Sequence, residues 1–377
     1  MGELQIKKRL SLIILRWLSI IHRNNFQTIV YKILLNILQF PSLKHKPISL
    51  LSTSQILLGN TVIKESWVIE PASTRELTQK IPNLKDDFRF LVGYKPIIAT
   101  EISNAIIDTK SGVIFTKSFP PRPILESSYF TEDSVSNSLR PRVSETLKGT
   151  FLSLSSRSFA HWLIEDVPRF LIGLDLMTSM SRTFSILISN DAPKYVREFL
   201  EFSRFNSISI HESITPSVSG LLCVYSDYYS NIPRVQDLMR LNRFGQDVLS
   251  SHSVDGHSKR QEKRKFFISR QYSTRFSELE KCLQNEAHKN GFTVVYPEMM
   301  PLLEQIKIFS SATVIMGCHG AGLYNVIWNN SGATIIDIYQ EWHNSSLKEI
   351  AESIGIRYQA ISTSNLGHLR NIIKSLR

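Results

Sequence analysis

An α/β fold with a parallel sheet in its C-terminal third is the first expectation this chain raises, and three observations carry it. From Lys265 onward, short runs of β-branched and aromatic residues alternate with helical stretches. One of those runs ends in a glycine-rich turn, Gly317-Cys318-His319-Gly320-Ala321-Gly322. A shorter strand–helix–strand pattern lies upstream, between Ser185 and Tyr225. Strands separated by helices of this length need crossover connections, which make a sheet parallel and cover both its faces.

In chain order, 104–108 and 113–116 flank Lys110-Ser111-Gly112, a hairpin signal. Residues 185–188 read as a strand, 195–205 as a helix, 207–210 as a strand and 221–225 as another, which makes a first α/β half. Residues 251–265 are polar, charged and without periodicity, and read as a linker. Beyond it come a strand at 266–269, a helix at 276–290 stopped by Gly291, a strand at 293–296 and a helix at 302–311. The strand 313–317 follows, with its glycine turn and a helix running to Asn329. A strand at 334–338, a helix at 345–354 stopped by Gly355, a strand at 358–361 and a closing helix complete a Rossmann-like domain. The expected domains are therefore a basic segment 1–45, an N-terminal α/β domain 46–250, the linker 251–265 and a C-terminal domain 266–377.

Composition narrows the function classes. A chain of 377 residues suits about two domains, and a hydrophobic share of 42% supplies real cores. The net charge of +11 favours acidic partners such as nucleotide phosphates or anionic lipid. No helix-turn-helix pattern, zinc-finger spacing or RNA-binding aromatic box is evident, which argues against nucleic acid. Cys223, Cys282 and Cys318 form no Cys-x-x-Cys pair, so a reducing compartment is the expectation. Cys318 beside His319 is discounted as a thiol nucleophile, because neighbours at a strand end point in different directions.

In the first forty residues Lys8, Arg9, Arg16 and Arg23 alternate with Leu10, Ile13, Trp17, Leu18 and Ile21 at helical spacing. That is a basic amphipathic helix with a Trp on its apolar face, suited to the surface of an anionic membrane. A helix docked on the protein's own core has the same pattern. Arg16 breaks the apolar run short of the roughly 20 residues a span requires, and no small-residue cleavage site follows. The expected location is cytoplasmic, peripheral on the inner face of the plasma membrane.

Three constellations carry chemistry. Gly317, Gly320 and Gly322 allow a sharp turn and close approach of the backbone to a ligand. The amides opening the next helix favour an anion such as a diphosphate, and His319 adds a donor. A tight packing turn has the same composition. In His161-Trp162-Leu163-Ile164-Glu165-Asp166-Val167-Pro168-Arg169, a helix puts His161 and Glu165 on one face. A His and two carboxylates within two turns suit proton abstraction from a hydroxyl, although solvated acids with an ordinary i,i+4 pair fit the same residues. Pro168 is expected to bend or end this helix. Finally, Arg270 at the end of strand 266–269, with Arg275 shortly after, suits bidentate phosphate recognition on the rim that also carries the glycine turn.

As a set, 161–169, Ile268-Ser269-Arg270, Gly291-Phe292-Thr293-Val294-Val295, Glu304-Gln305, His319-Gly320-Ala321-Gly322-Leu323-Tyr324-Asn325 and Gly332-Ala333-Thr334 resemble the family 61 glycosyltransferases. The resemblance implies a GT-B-like architecture, two Rossmann-like domains facing across a cleft, with the nucleotide-sugar donor bound mainly by the C-terminal one. It implies inverting transfer from a nucleotide sugar, first of all a UDP-sugar, to a hydroxyl of a glycan or lipid-linked saccharide in surface or capsular polysaccharide synthesis. Asp166, Glu165 and His161 are then the catalytic candidates, with Asp166 preferred as base because His161 or Arg169 can hold Glu165. Arg270, Arg275, His319, Gly320, Ala321 and Gly322 are the donor-binding candidates, and Glu304 is carried over by analogy to the donor ribose. No metal and no cofactor beyond the donor is expected, and no Asp-x-Asp occurs in the chain. A non-catalytic nucleotide-binding or assembly protein on the same fold stays open. A nucleotide-sugar epimerase lacks the dinucleotide fingerprint it needs near the N-terminus.

Overall fold

A computed structural model describes the backbone of strands 62–70, 73–79, 88–94 and 123–125, and residues 97–110, 112–117, 142–154, 158–225, 234–252, 264–339, 346–363 and 366–375. The basic segment 1–45 and most of the linker 251–265 lie outside the described residues. Two compact units interleave along the chain. The first takes in the described residues up to 156 with 169–192 and 208–227; the second takes in 157–168, 193–207 and those after 228. The segment around His161 and Asp166 therefore belongs to the second unit, although it precedes the linker in sequence.

The first unit is built on strands β1 (Val62–Glu70), β2 (Ser73–Gln79), β3 (Phe88–Tyr94), β4 (Ile97–Asp108), β5 (Val113–Thr116), β6 (Pro123–Leu125), β7 (Thr146–Ser153), β8 (Ser185–Ile188), β9 (Ile210–Glu212) and β10 (Ser217–Tyr225). All but the β2–β3 hairpin join one sheet, ordered β6-β5-β4-β10-β7-β8-β9, with β1 also on β4. The turn between β4 and β5 is too short for a crossover, so they pair antiparallel, Ala105 opposite Thr116. Gly112 closes that hairpin with φ of 77°, its backbone N–H donating a hydrogen bond to the Asp108 carbonyl. Because β10 also runs antiparallel to β4, the parallel part of the sheet is confined to β10, β7, β8 and β9. This half is a mixed sheet, not the all-parallel one that a Rossmann-like reading implies. Ile102, Ala105, Phe151, Leu187, Val218 and Leu221 fill its core.

In the second unit, β11 (Lys265–Ile268), β12 (Thr293–Val295), β13 (Val314–Cys318), β14 (Thr334–Tyr339) and β15 (Arg357–Ser362) form an all-parallel sheet in the order β12-β11-β13-β14-β15. The helices in chain order are α1 (Phe159–His161), α2 (Val167–Ser179, continuing into the first unit), α3 (Lys194–Leu200), α4 (Val235–His252), α5 (Glu278–Lys289), α6 (Leu302–Ser310), α7 (Ser346–Ser353) and α8 (Leu366–Ser375). From β11 to β15 each strand and each α-helix lies within two residues of its expected bounds. Ser277 caps α5 by accepting from the Glu280 amide, and Gly291, at φ of 80°, releases the chain from its end. The helix expected at 195–205 is shorter: α3 ends at Leu200 and a 3₁₀ turn, Ser203–Phe205, completes it. Phe267, Met316, Ile336 and Ile338 meet Leu283, Leu369 and Ile373 in the core.

Asn329 locks the loop between β13 and β14. It is 2% exposed, donates to the Phe309 and Ala312 carbonyls at 2.7 and 2.9 Å, and accepts from the Ser331 and Ala333 amides. Asn329→Leu would remove all four of these hydrogen bonds and take from the buried Ala333 amide the acceptor it has here. Urea denaturation should show a loss of roughly 3 kcal/mol or more, whereas an unchanged midpoint would mean that the loop carries no such weight.

Candidate active site

The order of the second sheet sets the place. The chain passes from β11 to β12 on one side, then crosses back to β13 on the other, so the winding reverses between β11 and β13. In open α/β sheets the crevice at the carboxyl ends of those two strands receives the ligand. Ile268, the last residue of β11, pairs with Gly317 of β13. From this point the chain continues as Ser269-Arg270 on one side and Cys318-His319-Gly320 on the other. A Cβ on Gly317 would lie 2.7 Å from the Ile268 carbonyl oxygen, so only glycine lets the strands close here. A Cβ on Gly320 would lie 3.1 Å from Cδ of Arg270 and 3.6 Å from Nη2 of Arg275. The structure thus brings both arginines onto the glycine turn.

The turn opens a 3₁₀ helix, Ala321–Trp328, where the sequence suggests an α-helix. The reason is a row of side chains at three-residue spacing, which a 3₁₀ helix eclipses. Asn325 donates to the Gly322 carbonyl, and Trp328 Nε1 donates to Asn325 Oδ1 at 3.0 Å. Asn325 also donates to Gln305 Oε1 at 2.9 Å, and Gln305 donates to the Pro297 and Met300 carbonyls. A buried polar chain therefore ties the helix to α6. The first bond of the 3₁₀ helix runs from Leu323 N to the Gly320 carbonyl, so the Ala321 and Gly322 amides precede it.

Arg270 and His319 are each backed by a buried acid. Glu280, fully buried on α5, accepts from Arg270 through its backbone amide (2.8 Å), Nε (2.9 Å) and Nη2 (2.7 Å). Arg270 Nη1 donates to the His319 carbonyl at 2.9 Å, which joins the two strand ends. Asp337, fully buried in β14, meets His319 Nδ1 at 2.9 Å and accepts from the Tyr358 hydroxyl at 2.8 Å, both at Oδ2. Arg275 is exposed above the turn. Glu304 is exposed on the first turn of α6 and pairs with Lys307; its neighbour Gln305 is the residue that reaches the 3₁₀ helix, at Asn325.

Reading the sequence did not single out Glu280, Asp337 or Tyr358. Asp337 carried a signal, as an acid in the otherwise apolar run Thr334–Tyr339. Glu280, three residues after Ser277, reads as a capping-box acid facing its own helix, whereas its carboxylate goes to Arg270.

Residues 161–166 adopt an unusual form. Between α1 and α2 lies a π-helical turn, Trp162–Asp166, closed by a bond from Val167 N to the Trp162 carbonyl. Such turns occur mostly as single insertions in α-helices, frequently at functional sites. The helix does not end at Pro168. The wide turn directly precedes Pro168, the second residue of α2, so the ladder is already widened where the proline ring and missing N–H would disturb the regular i→i−4 bonds. Trp162 is fully buried, its ring 4.8 Å from that of Tyr195 and 5.6 Å from that of Phe199. His161 Nδ1 meets Glu165 Oε1 at 2.7 Å, and Glu165 is 1% exposed. Asp166 is 8% exposed. Burial, then the charge of Asp166, pushes the Tyr195 hydroxyl up to about 12. Helix α1 packs against the 3₁₀ helix that the glycine turn opens, within the same unit.

Among the described residues no group of three or more His, Cys, Asp or Glu side chains could hold a metal ion, and no helix is long and apolar enough to cross a membrane. Residues 159–336, from α1 into β14, match the family model described as Glycosyltransferase 61. The chain thus carries a glycosyltransferase 61 domain over that stretch, in agreement with the resemblance of its motifs. No curated protein matches the chain.

Burial, reinforced by the charge of Glu280, pushes the Cys318 thiol up to about 12, and burial raises that of Cys223 as well. A thiol with a raised pKa stays protonated and unreactive below it. At pH 8 a chromogenic disulfide should therefore titrate exposed Cys282 quickly and leave Cys223 and Cys318 until the protein is unfolded. Rapid reaction of Cys318 in the native protein would reopen its role as a nucleophile.

Proposed function

We propose that the protein is an inverting glycosyltransferase that moves a sugar from a nucleotide-sugar donor, in first place a UDP-sugar, to a hydroxyl of a glycan or lipid-linked saccharide in surface or capsular polysaccharide synthesis. The observation that carries this reading is the glycine turn at the β11/β13 switch point, lined by arginines and lying inside a glycosyltransferase 61 domain. The donor diphosphate would rest on the Ala321 and Gly322 amides, with His319 and Arg275 beside it. Arg270 is engaged by Glu280 and the His319 carbonyl, so its part is to fix the turn. These groups would neutralise the leaving diphosphate in place of a metal.

The base would be Asp166. Glu165 is held by His161, which supports the choice between the two neighbouring acids. As the acceptor oxygen attacks the anomeric carbon from the face opposite the diphosphate, its proton passes to the Asp166 carboxylate and the bond to the diphosphate oxygen breaks. The basic amphipathic pattern of residues 10–21 supports a further part of the proposal, that the protein rests on anionic membrane where a lipid-linked acceptor is presented.

Incubating the protein with a panel of UDP-sugars, with and without EDTA, tests the reaction. One donor should be consumed, with the chelator making no difference, and Asp166→Asn should lower turnover by about 10²–10⁴ while sparing UDP binding. Near-normal turnover in that variant would remove Asp166 from the mechanism, and binding without turnover of any donor would favour a nucleotide-binding protein. For the membrane, the full chain should co-sediment with anionic vesicles at low salt and lose that binding when residues 1–40 are deleted. If the full chain ignores such vesicles, this part of the proposal fails.

A further inference from the structure

We infer that Asp337 and Tyr358 are positioning residues of the nucleotide site, acting through His319. They hold the imidazole with its Nδ1 proton on the buried carboxylate, so that Nε2 is the ring atom offered to the donor diphosphate. The inference rests on the reading that a nucleotide diphosphate occupies the glycine turn.

The geometry gives His319 little choice. Its amide donates to the Ile338 carbonyl at 2.8 Å, and its carbonyl accepts from Arg270. With the backbone tied on both sides, Nδ1 reaches Asp337 Oδ2 at 2.9 Å. A carboxylate accepts hydrogen bonds and cannot donate them, so the proton in that contact sits on Nδ1. The Tyr358 hydroxyl donates to the same oxygen at 2.8 Å. Burial and the charge of Asp337 raise the Tyr358 pKa well above the ordinary tyrosine range, with Tyr324 and Tyr339 adding to the effect. Tyr358 therefore stays a donor, and the carboxylate stays oriented toward the ring.

A merely structural role explains Asp337 poorly. It stands between Ile336 and Ile338 in a fully covered strand, where an aliphatic residue would pack without desolvating a charge. A buried carboxylate on Nδ1 is the device by which proteins fix the tautomer of a working histidine. To bond a phosphate oxygen, Nε2 must also carry a proton, and Asp337 supplies the counter-charge to such a ring. The other charged groups nearby are Arg270 with Glu280 beneath it, and Arg275 over Gly320. Arg270 is balanced by Glu280, so of these it is Arg275 that adds to the attraction for an anion.

The test has two arms. In the first, with no nucleotide, NMR of protein carrying isotope-labelled histidine reads the tautomer of His319, assigned by the signal lost in His319→Gln. The proton of the neutral ring should sit on Nδ1 in the wild type, and Asp337→Asn should move population to Nε2. A wild-type ring protonated on Nε2 alone would overturn the inference. In the second, calorimetry measures UDP affinity. Tyr358→Phe should weaken binding about three- to ten-fold and Asp337→Asn by ten-fold or more. In a His319→Ala background each change should cost less than two-fold, because the effect passes through the ring. Equal losses in both backgrounds would mean that the two residues act only on the fold. Should Asp337→Asn not fold, Tyr358→Phe carries the cycle alone. Wild-type protein that does not bind UDP would refute the nucleotide reading, a failure the tautomer measurement tells apart from failure of the relay.

Discussion

The carboxyl rim of the second sheet depends on one buried ion pair, Arg270–Glu280. Glu280 is fully buried, and it accepts from the Arg270 backbone, Nε and Nη2. A carboxylate in that position is tolerable only because its partner is a fork with matching geometry. Removing either member would strand a charge in the interior, at a cost on the order of 3–5 kcal/mol. The pair also sets position. The remaining guanidinium nitrogen, Nη1, holds the His319 carbonyl, so the end of β11 and the end of β13 move as one piece. The close pairing of Ile268 with Gly317 and the seat of Arg270 over Gly320 both follow from that tie.

Two departures from regular helix lie in this same unit. The 3₁₀ helix 321–328 keeps Gly322, Asn325 and Trp328 in one row, which lets Asn325 bond along the row and across to Gln305. Helix α4 supports the same element: Asn242 donates to the Ile327 and Asn329 carbonyls, and Gly245 leaves room for the Trp328 ring, which a Cβ would meet at 2.7 Å. The π-helical turn 162–166 holds two consecutive acids in a buried stretch and widens the ladder just before Pro168. A regular α-helix at 321–328 would break that row of side-chain bonds, so there the irregular backbone goes with the polar contacts.

Much of this was legible in the sequence, and the reason is periodicity. Strands and helices from β11 to β15 are short, amphipathic or wholly apolar, and punctuated by Gly291 and Gly355, so local signals and tertiary structure agree. The glycine turn was legible for the same reason, since Gly317 and Gly320 stand where the backbone must approach another chain segment. The first unit was harder. Its order depends on which partner β4 finds, and pairing between β4 and β10, more than a hundred residues apart, leaves no local trace. The acids beneath the rim were missed because long-range side-chain contacts have no period. Glu280 looks like a helix cap, and the link from Asp337 to His319 spans the gap between two strands. The helix 321–328 was legible as a helix but not as a 3₁₀ one, because hydrophobic spacing over eight residues does not separate a period of 3.0 from one of 3.6.

The rim repeats one arrangement, a polar or cationic group facing the crevice with a buried carboxylate behind it. Glu280 stands behind Arg270, and Asp337 stands behind His319. Each carboxylate removes freedom from its partner, so the groups at the turn are held before any ligand arrives, and no side-chain entropy is lost at that moment. The arrangement has a further electrostatic consequence. The Arg270–Glu280 pair is nearly neutral seen from the crevice, so Arg270 alone adds little to the attraction for an anion. That attraction must come from groups with no carboxylate shown behind them, which are the amides at Ala321 and Gly322 and the guanidinium of exposed Arg275. The chain therefore divides the work: buried acids give the rim its shape, while backbone dipoles and a surface arginine give it its sign.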